Sequence, residues 1–241
     1  LLAAIEGGAK ADLSSVRRCI SAGEALPAPI YERWKERFGI EILDGIGSTE
    51  IGYICISNMP GRVRPGTSGQ VIPGYEAVVQ REDASPADVD EVGDLLVKGP
   101  STAAFYWRKR AATKHTFRGE WVFTGDRYSV DADGYFRYHG RSDDMMRVSG
   151  LWVSPIELET ALLRHPSVRE CAVVARTDES GLVRPCAYVV AAAEPSAALA
   201  EELQRHAADM LSAYKRPKWV EFVDELPKTS TGKIQRYKLR H

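Results

Sequence analysis

The segment Pro227–Arg236 carries a lysine in a setting suited to chemistry on an anion. It reads PKTSTGKIQR, so small hydroxyl residues and Gly232 precede Lys233. Small residues let a backbone approach a ligand closely, and lysine is a long, flexible point charge suited to an oxyanion or a phosphate. The segment is not a P-loop, because Pro227 stands where that motif needs its first glycine. Taken alone, it fits a solvated basic tail equally well.

Three other polar segments follow stretches with the composition of β-strands. Gly45–Glu50 reads GIGSTE, which differs from the dinucleotide fingerprint because Glu50 stands in place of the third glycine. Its hydroxyls and carboxylate suit a nucleotide phosphate with a magnesium ion. Asp126 ends the segment Phe123–Asp126 and could accept both hydroxyl groups of a ribose. Alone, each of these segments, and the polar turn Gly140–Asp144, is explained more simply as a surface turn or a domain junction.

The apolar pattern around Gly45–Glu50 predicts a βαβ unit, because it gives a strand, a helix and a second strand in that order. The helix has apolar residues at i, i+4 and i+8 and ends at Gly39. In such a unit, ligands collect at the carboxyl ends of parallel strands, which is where Gly45–Glu50 lies. The predicted elements are a strand at 16–22, a helix carrying Ile30, Trp34 and Phe38, and a strand at 41–43.

Two further patterns follow along the chain. Over residues 66–141, short strands and turns predict a small β-barrel or sandwich, with a hairpin across Asp131–Gly134. Beyond Asp144 the pattern becomes α+β, and Ser154–Glu157 has the sequence of a capping box that opens a helix ending near His165. The later elements predicted are strands at 171–175, 186–192 and 219–223 and a helix at 197–211.

Composition and charge narrow the class of protein. The chain has 241 residues and is 44% hydrophobic and 27% charged, as in ordinary globular proteins. Its 32 lysines and arginines nearly balance 33 aspartates and glutamates, so no overall field favours nucleic acid or an anionic membrane. Four widely spaced cysteines argue against a disulfide framework or a zinc site and fit a cytoplasmic protein. Leu1–Ile5 lacks an initiator methionine and has the composition of a helix interior, so we expect the chain to begin within a longer protein.

In order and spacing, these segments resemble the adenylate-forming superfamily, which contains acyl- and aryl-CoA ligases, luciferases and the adenylation domains of peptide synthetases. The resemblance covers the whole chain. Three further segments look most like the benzoate-CoA ligase branch of the superfamily. The superfamily motifs are Gly47–Glu50, Thr124–Asp126, Gly140–Asp144, Ser149-Gly150 and Pro227–Lys233, and the branch motifs are Ser21–Pro27, Gly69–Tyr75 and Val148–Glu157.

The resemblance implies a two-step reaction that uses ATP, Mg²⁺ and coenzyme A. An aromatic carboxylate, benzoate or a substituted benzoate, attacks the α-phosphate of ATP to give an acyl-adenylate, and the CoA thiol then displaces AMP. The family's catalytic cation matches Lys233, with Thr49 and Glu50 also catalytic and Glu50 holding magnesium. The resemblance further implies nucleotide binding by Gly47, Ser48, Thr49, Asp126 and Arg141, a hinge at Asp143, a CoA tunnel at Ser149 and Gly150, and an acyl pocket at Gly47, Tyr53 and Ile54.

The resemblance also implies a fold that combines α/β and α+β parts. Residues 1–142 would form the later part of the large AMP-binding domain, with the parallel βαβ piece and the small β-barrel. Residues 143–241 would form the complete small, mobile C-terminal domain. The family's phosphate loop and the first half of its large domain have no counterpart here. We therefore expect the full-length protein to be an acid-thiol ligase and this chain alone to be inactive.

Two residues depart from the family pattern. Arg147 stands where the family commonly has lysine, which keeps the charge but changes the donor geometry. Tyr53 stands where benzoate ligases carry histidine, and its phenol would favour a ring with a hydroxyl or amino group. Two other functions stay open: an adenylation enzyme that loads a carrier protein, and a non-catalytic nucleotide-binding fragment. The oligomeric state also stays open, with a homodimer as one possibility.

Overall fold

The computed structural model describes Ile5, Gly8 and residues 10–240. Of the helical start expected at Leu1–Ile5, the first four residues lie outside the described residues. The chain divides into two compact units. Unit 1 comprises Leu1–Ala77, Leu96–Phe123 and Val130–Arg137, and unit 2 comprises Val78–Leu95, Thr124–Ser129 and Tyr138–His241.

Unit 1 contains the predicted βαβ unit. Strand β1 (Cys19–Ser21) pairs in parallel with β2 (Ile42–Gly47), and helix α1 (Ala28–Phe38) connects them. The helix ends as expected at Gly39, which has a left-handed φ of 68° and donates its N–H to Lys35. Strand β1 is shorter than expected, because only its three residues pair with β2.

The segment Gly45–Glu50 is partly strand, whereas its glycines indicated a loop. Strand β2 continues through Gly47 and pairs in antiparallel fashion with β3 (Ile54–Ser57). Glycine is required at Gly47 because a Cβ there would lie 2.2 Å from the carbonyl oxygen of Tyr53. The irregular loop that carries the candidate residues therefore begins only at Ser48.

The middle of the chain supplies six more strands, and five of them form a second sheet. They are β4 (Gln70–Val71), which pairs with β3, and β5 (Glu76–Gln80), β6 (Gly93–Lys98), β7 (Phe117–Arg118), β8 (Trp121–Val130) and β9 (Phe136–Arg141). The order in the second sheet is β5-β6-β8-β7, and β9 pairs with β8. The predicted hairpin is confirmed, since Asp131 N–H donates to Tyr135 O at 3.1 Å between β8 and β9. Helix α2 (Arg110–Thr116) precedes β7.

The last hundred residues have the predicted α+β arrangement. Their elements are β10 (Met146–Val148), β11 (Leu151–Val153), α3 (Pro155–Leu162), β12 (Val168–Thr177), β13 (Val183–Ala191), α4 (Ala197–Met210) and β14 (Trp219–Phe222). Strand β13 pairs antiparallel with β12 and parallel with β14. The capping box is confirmed for its first half, because Ser154 Oγ accepts a hydrogen bond of 3.2 Å from Glu157 N–H.

The sheet β12-β13-β14 is buried on both faces. Helices α3 and α4 cover one face, with Leu158 and Leu203 fully buried against it. The C-terminal segment covers the other face, where Leu226 and Leu239 are buried. The segment that carries Lys233 is therefore fixed on the sheet at both of its ends.

None of the described helices is long and apolar enough to span a membrane. Helix α4 is the longest of them, with 14 residues. Within the described residues, no disulfide links the four cysteines.

Candidate functional site

The loop after β2 begins with a buried hydroxyl group. The carbonyl oxygen of Ser48 accepts hydrogen bonds from the N–H groups of Ile51 (3.2 Å) and Gly52 (2.9 Å), which closes a tight turn. The Ser48 Oγ atom is buried and has no hydrogen-bond partner in the described part of the chain. Buried polar atoms are nearly always hydrogen-bonded, so this hydroxyl fits an oxygen-rich ligand such as a phosphate. Thr49, the next residue, is exposed.

Glu50 lies half-buried in the same turn. Its Oε1 atom accepts a hydrogen bond of 2.5 Å from the phenol of Tyr106, and its carbonyl oxygen accepts one of 2.7 Å from the N–H of Ala103. Burial and the hydrogen bond to Glu50 raise the pKa of Tyr106, so the phenol keeps its proton and remains the donor.

A magnesium ion fits Glu50 only together with oxygen atoms from a ligand. A carboxylate is a preferred ligand of Mg²⁺, which usually takes one or two protein carboxylates plus phosphate oxygens and waters. The described residues contain no group of three or more His, Cys, Asp or Glu that could hold a metal ion. Glu50 beside the unpartnered Ser48 hydroxyl therefore fits the magnesium ion of a bound nucleotide better than a metal held by protein alone.

Asp44 is a functional candidate that sequence reasoning missed. It lies on β2 and is 5% exposed. Its Oδ2 atom accepts a hydrogen bond of 3.2 Å from the N–H of Leu26, whereas Oδ1 has no partner among the described residues. Burial raises the pKa of Asp44 to about 6. The sequence does contain a signal for Asp44, which is an aspartate within an otherwise apolar strand. Burying a charged side chain costs free energy, so such a residue is a candidate for a functional role.

The three residues expected to form an acyl pocket lie at the junction of β2 and β3. The Tyr53 side chain is 68% exposed. Ile54 is half-buried and opens β3 opposite Gly47. The missing side chain of Gly47 lets the Tyr53 backbone pass close to β2, so glycine at this position sets the shape of the turn.

In unit 2, Asp126 and Arg141 come together as the resemblance implied. Arg141 Nη1 lies 3.3 Å from Asp126 Oδ1 and donates to the carbonyl oxygen of Thr124 at 3.0 Å. Gly125 makes room for this arginine, because a Cβ there would lie 2.8 Å from Arg141 Nη2. Burial raises the pKa of Asp126, and the positive charges of Arg141 and Lys233 oppose that rise. Three residues from separate motifs therefore share one electrostatic environment.

The loop that carries Lys233 is closed by its own hydrogen bonds. Thr229 N–H donates to Lys233 O at 2.8 Å, and Gly232 N–H donates to Thr229 O at 2.9 Å. The backbone N–H of Lys233 also donates to Thr229 Oγ1 at 3.0 Å. Outside these bonds, the N–H of Gln235 donates to Pro227 O at 2.8 Å. The backbone is thus well defined while the Lys233 side chain is exposed.

Ion pairs hold one end of this loop on the sheet and the other on helix α3. Lys228 Nζ lies 2.6 Å from Glu170 Oε2 on β12. Arg236 Nη2 lies 3.0 Å and 2.9 Å from the two carboxylate oxygens of Glu159 on α3, and this pair is largely buried. Glu159 also accepts a hydrogen bond of 2.8 Å from the N–H of Val173. Burial disfavours the charge of Arg236, but Glu159 raises the pKa of Arg236 nevertheless.

The expected hinge and CoA-tunnel residues are exposed. The Asp143 side chain is 80% exposed and lies 3.9 Å from Arg141 Nε. Its carbonyl oxygen accepts a hydrogen bond of 3.2 Å from Arg240, which also pairs with the carboxylate of Asp144. Ser149 (φ 51°) and Gly150 (φ 83°) form the left-handed turn between β10 and β11.

Two family models match the chain. The model of the AMP-binding enzyme matches residues 1–107, and the model of the AMP-binding enzyme C-terminal domain matches residues 157–233. The chain belongs to the AMP-binding enzymes. The membership inferred from the order of the sequence motifs is therefore confirmed.

Individual relatives of this chain extend the comparison. A benzoate–CoA ligase of Thauera aromatica is 50% identical over 228 residues, which cover 93% of this chain and 43% of that protein. A 4-hydroxybenzoate–CoA/benzoate–CoA ligase of Rhodopseudomonas palustris is 46% identical, with 93% and 42% covered. The structure of an anthranilate CoA ligase in complex with anthranoyl-AMP matches with a TM-score of 0.92 at 49% identity, covering 95% of this chain and 45% of that one.

These comparisons confirm the mixed α/β and α+β fold and the similarity to benzoate-CoA ligases. The chain spans less than half the length of the relatives that it matches. Within it, the candidate residues form two groups. Unit 1 contains Gly47, Ser48, Thr49, Glu50, Tyr53 and Ile54, and unit 2 contains Asp126, Arg141, Asp143, Ser149, Gly150 and Lys233. Their individual roles stay predictions.

Proposed function

We propose that the full-length protein is an ATP-dependent aryl-CoA ligase that acts on benzoate or a substituted benzoate. The observation that carries the proposal is the arrangement in unit 2, where the half-buried carboxylate of Asp126 lies in the field of Arg141 and Lys233. This arrangement suits a nucleotide, because the carboxylate can accept hydrogen bonds from the two ribose hydroxyl groups and the positive charges can attract the phosphates. Because benzoate-CoA ligases are among the relatives of this chain, we propose an aromatic acid as the second substrate.

The proposed reaction has two steps. In the first, a carboxylate oxygen of the acid attacks the α-phosphorus of ATP, the bond to the β-phosphate oxygen breaks, and pyrophosphate leaves. In the second, the CoA sulfur attacks the carbonyl carbon of the acyl-adenylate, the bond to the phosphate oxygen breaks, and AMP leaves. The thiol proton is lost, and the product is a thioester.

The residues of this chain would stabilise charge in the first step. Lys233 would neutralise the negative charge that develops between the acid and the α-phosphoryl oxygens. The exposed hydroxyl of Thr49 would donate to the α-phosphate, and the unpartnered Ser48 hydroxyl would donate to a phosphate oxygen nearby. Asp126 would accept from the ribose hydroxyls, with Arg141 holding its carboxylate in place. Glu50 would hold Mg²⁺, which neutralises phosphate charge when bound.

The second step would use the remaining candidates. We propose Asp143 as the hinge between residues 1–142 and 143–241, because a few exposed backbone positions can absorb a domain rotation. The turn at Ser149 and Gly150 would lie along the pantetheine arm of CoA, since glycine leaves room for a thin chain beside the backbone. Gly47, Tyr53 and Ile54 would line the pocket for the aromatic ring. Limited proteolysis that cuts near Asp143 only in the absence of ligands would support this hinge, whereas cutting at other sites alone would contradict it.

The test is AMP release from ATP in the full-length protein with benzoate, 4-hydroxybenzoate and 2-aminobenzoate, each with and without CoA. Lys233→Ala should lower the adenylation rate by ~10²–10³-fold, the usual cost of one charge-stabilising donor. Lys238→Ala is the matched control, because Lys238 is an exposed lysine five residues further along. AMP release that Lys233→Ala leaves unchanged would contradict the proposal.

The same measurement separates the alternatives. Release of AMP that requires a phosphopantetheinylated carrier protein instead of CoA would identify a carrier-loading enzyme. ATP binding without AMP release would identify a nucleotide-binding protein. We expect no release from the 241-residue chain alone, and CoA-dependent release from it would show that the chain carries a working site. The homodimer and the cytoplasmic location stay predictions, testable by sedimentation and by cell fractionation.

A further inference from the structure

The turn that carries Glu50 is held by one neighbouring segment of unit 1. Ser101 Oγ donates to the carbonyl oxygen of Ile51 at 2.5 Å, and Ala103 N–H donates to the carbonyl oxygen of Glu50 at 2.7 Å. These two bonds fix the backbone. A third bond, of 2.5 Å, runs from the phenol of Tyr106 to Oε1 of Glu50 and reaches the carboxylate itself.

Tyr106 is in turn fixed by the elements that follow it. Its N–H donates to Thr113 Oγ1 at 3.0 Å, and the Thr113 hydroxyl lies 3.4 Å from the carbonyl oxygen of Tyr106. Its ring meets Phe117 edge to face at a centroid distance of 5.2 Å. Thr113 lies on α2 and Phe117 opens β7, so the phenol is placed by regular secondary structure. A donor held in this way orients its acceptor with little loss of side-chain freedom.

The bond between phenol and carboxylate is of the strong kind. Hydrogen bonds to an ionised acceptor are shorter and roughly twice as strong as those between neutral groups. A carboxylate has about four lone-pair positions, and the Tyr106 hydroxyl uses one of them. The bond therefore restricts the orientation of the Glu50 carboxylate without neutralising its charge.

We propose that Tyr106 is a positioning residue for Glu50: its hydroxyl holds the carboxylate in the orientation that binds the magnesium ion of the nucleotide. The inference rests on the proposed function, which assigns Mg²⁺ to Glu50. Groups that hydrogen-bond a metal ligand set its direction, and their removal typically costs ~10–100-fold in metal affinity or activity. Tyr106 lies 56 residues from Glu50 in the sequence, and no motif connects the two.

The test uses Tyr106→Phe in the full-length protein, with Mn²⁺ as the probe. Free Mn²⁺ is measured by electron paramagnetic resonance during titration in the presence of ATP. The Mn²⁺ that the same ATP binds without protein is subtracted, so the difference reports metal binding by the protein with its nucleotide, without turnover. We expect Tyr106→Phe to weaken Mn²⁺ binding about 10-fold. Tyr135→Phe is the matched control, because it removes a phenol that donates to the carbonyl oxygen of Arg62 (3.1 Å) in the same unit. The control should bind Mn²⁺ like the wild type.

A second measurement distinguishes positioning from general damage. In the AMP-release assay, the Mg²⁺ concentration for half-maximal rate should rise by the same factor in Tyr106→Phe, while the rate at saturating Mg²⁺ changes much less. If the AMP-release rate of Tyr106→Phe stays well below that of the wild type at saturating Mg²⁺, the proposal is wrong. Thr113→Ala, which loosens Tyr106 but keeps its hydroxyl, should shift the Mg²⁺ requirement in the same direction by a smaller factor.

Glu50→Gln separates failure of this inference from failure of the proposed function. If Glu50→Gln weakens Mn²⁺ binding and Tyr106→Phe does not, the metal role of Glu50 stands and the positioning role of Tyr106 is wrong. If neither variant changes Mn²⁺ binding, the metal role of Glu50 is wrong, and the positioning role falls with it.

Discussion

The buried carboxylate of Asp44 should make the stability of this chain fall as the pH rises through the weakly acidic range. Asp44 is 5% exposed, one of its oxygens has no partner among the described residues, and burial raises its pKa from 3.8 to about 6. A charge buried in this way is destabilising unless it is paired. Replacing Asp44 by asparagine removes the charge and keeps the shape of the side chain.

The magnitude follows from the two pKa values of Asp44. The folded chain binds the proton more tightly than the unfolded chain does, so the unfolded chain releases it first as the pH rises. The stability that the protonated Asp44 contributes is therefore fully present below about pH 3, is lost progressively between about pH 3 and pH 6, and is absent above about pH 7. A pKa difference of roughly 2 units corresponds to about 3 kcal/mol, of which about 2 kcal/mol falls between pH 4 and pH 7.

The assay is urea unfolding of the wild type and of Asp44→Asn at pH 4 and pH 7, followed by tryptophan fluorescence. Trp34 on α1 is buried in the same unit and reports its unfolding. Burying the asparagine amide has a cost that does not depend on pH. This cost cancels when the stability difference between the variant and the wild type at pH 4 is compared with that at pH 7. The stability of Asp44→Asn relative to the wild type should therefore rise by about 2 kcal/mol from pH 4 to pH 7.

Two outcomes decide this prediction. Asp133→Asn is the matched control, since it makes the same substitution at an exposed position of unit 1 and should show no comparable rise. If the difference between Asp44→Asn and the wild type is the same at pH 4 and pH 7, Asp44 is not a destabilising buried charge, and the reasoning from its burial is wrong.

Two further predictions concern Arg236 and Tyr53. Arg236→Met removes the positive charge that pairs with the largely buried Glu159 carboxylate and should destabilise unit 2 by about 3–5 kcal/mol in urea unfolding. The double variant Arg236→Met/Glu159→Gln should lose clearly less, and equal losses would contradict a buried ion pair. Tyr53→Phe should lower kcat/KM for 4-hydroxybenzoate or 2-aminobenzoate relative to benzoate by about 10-fold, since a site that hydrogen-bonds a substituent discriminates against its absence. An unchanged ranking of the three acids would show that Tyr53 only packs.

Local signals in the sequence predicted much of the fold. Gly39 ends α1 in a left-handed conformation, Ser154 caps α3, and the turn at Asp131–Gly134 joins β8 to β9. Each of these features depends on residues within a few positions of one another, so the sequence pattern contains the physical cause. The sequence pattern indicates a loop at Gly45–Glu50, whereas both glycines of this segment are strand residues that let another backbone pass close by.

The contacts that shape the candidate site were not predictable in this way. Tyr106 and Glu50 are 56 residues apart, and Arg236 and Glu159 are 77 apart. Neither spacing corresponds to a helix face or a strand pair, and only the tertiary fold brings these side chains together. Motifs indicate candidate residues for the chemistry, whose roles stay predictions. They contained no information about the residues that hold those groups in place.

Unsatisfied buried groups give independent support for a ligand site at the end of β2. Within the described part of the chain, three buried side-chain atoms have no hydrogen-bond partner, and two of them are Asp44 Oδ1 and Ser48 Oγ. Folding alone disfavours both, because each loses its hydrogen bonds to water without replacement. The two residues are four positions apart in the sequence, as expected if one polar ligand supplies the missing hydrogen bonds to both. A bound nucleotide should therefore raise the unfolding free energy of unit 1 more in the wild type than in a Ser48→Ala variant, and equal stabilisation would remove Ser48 from the site.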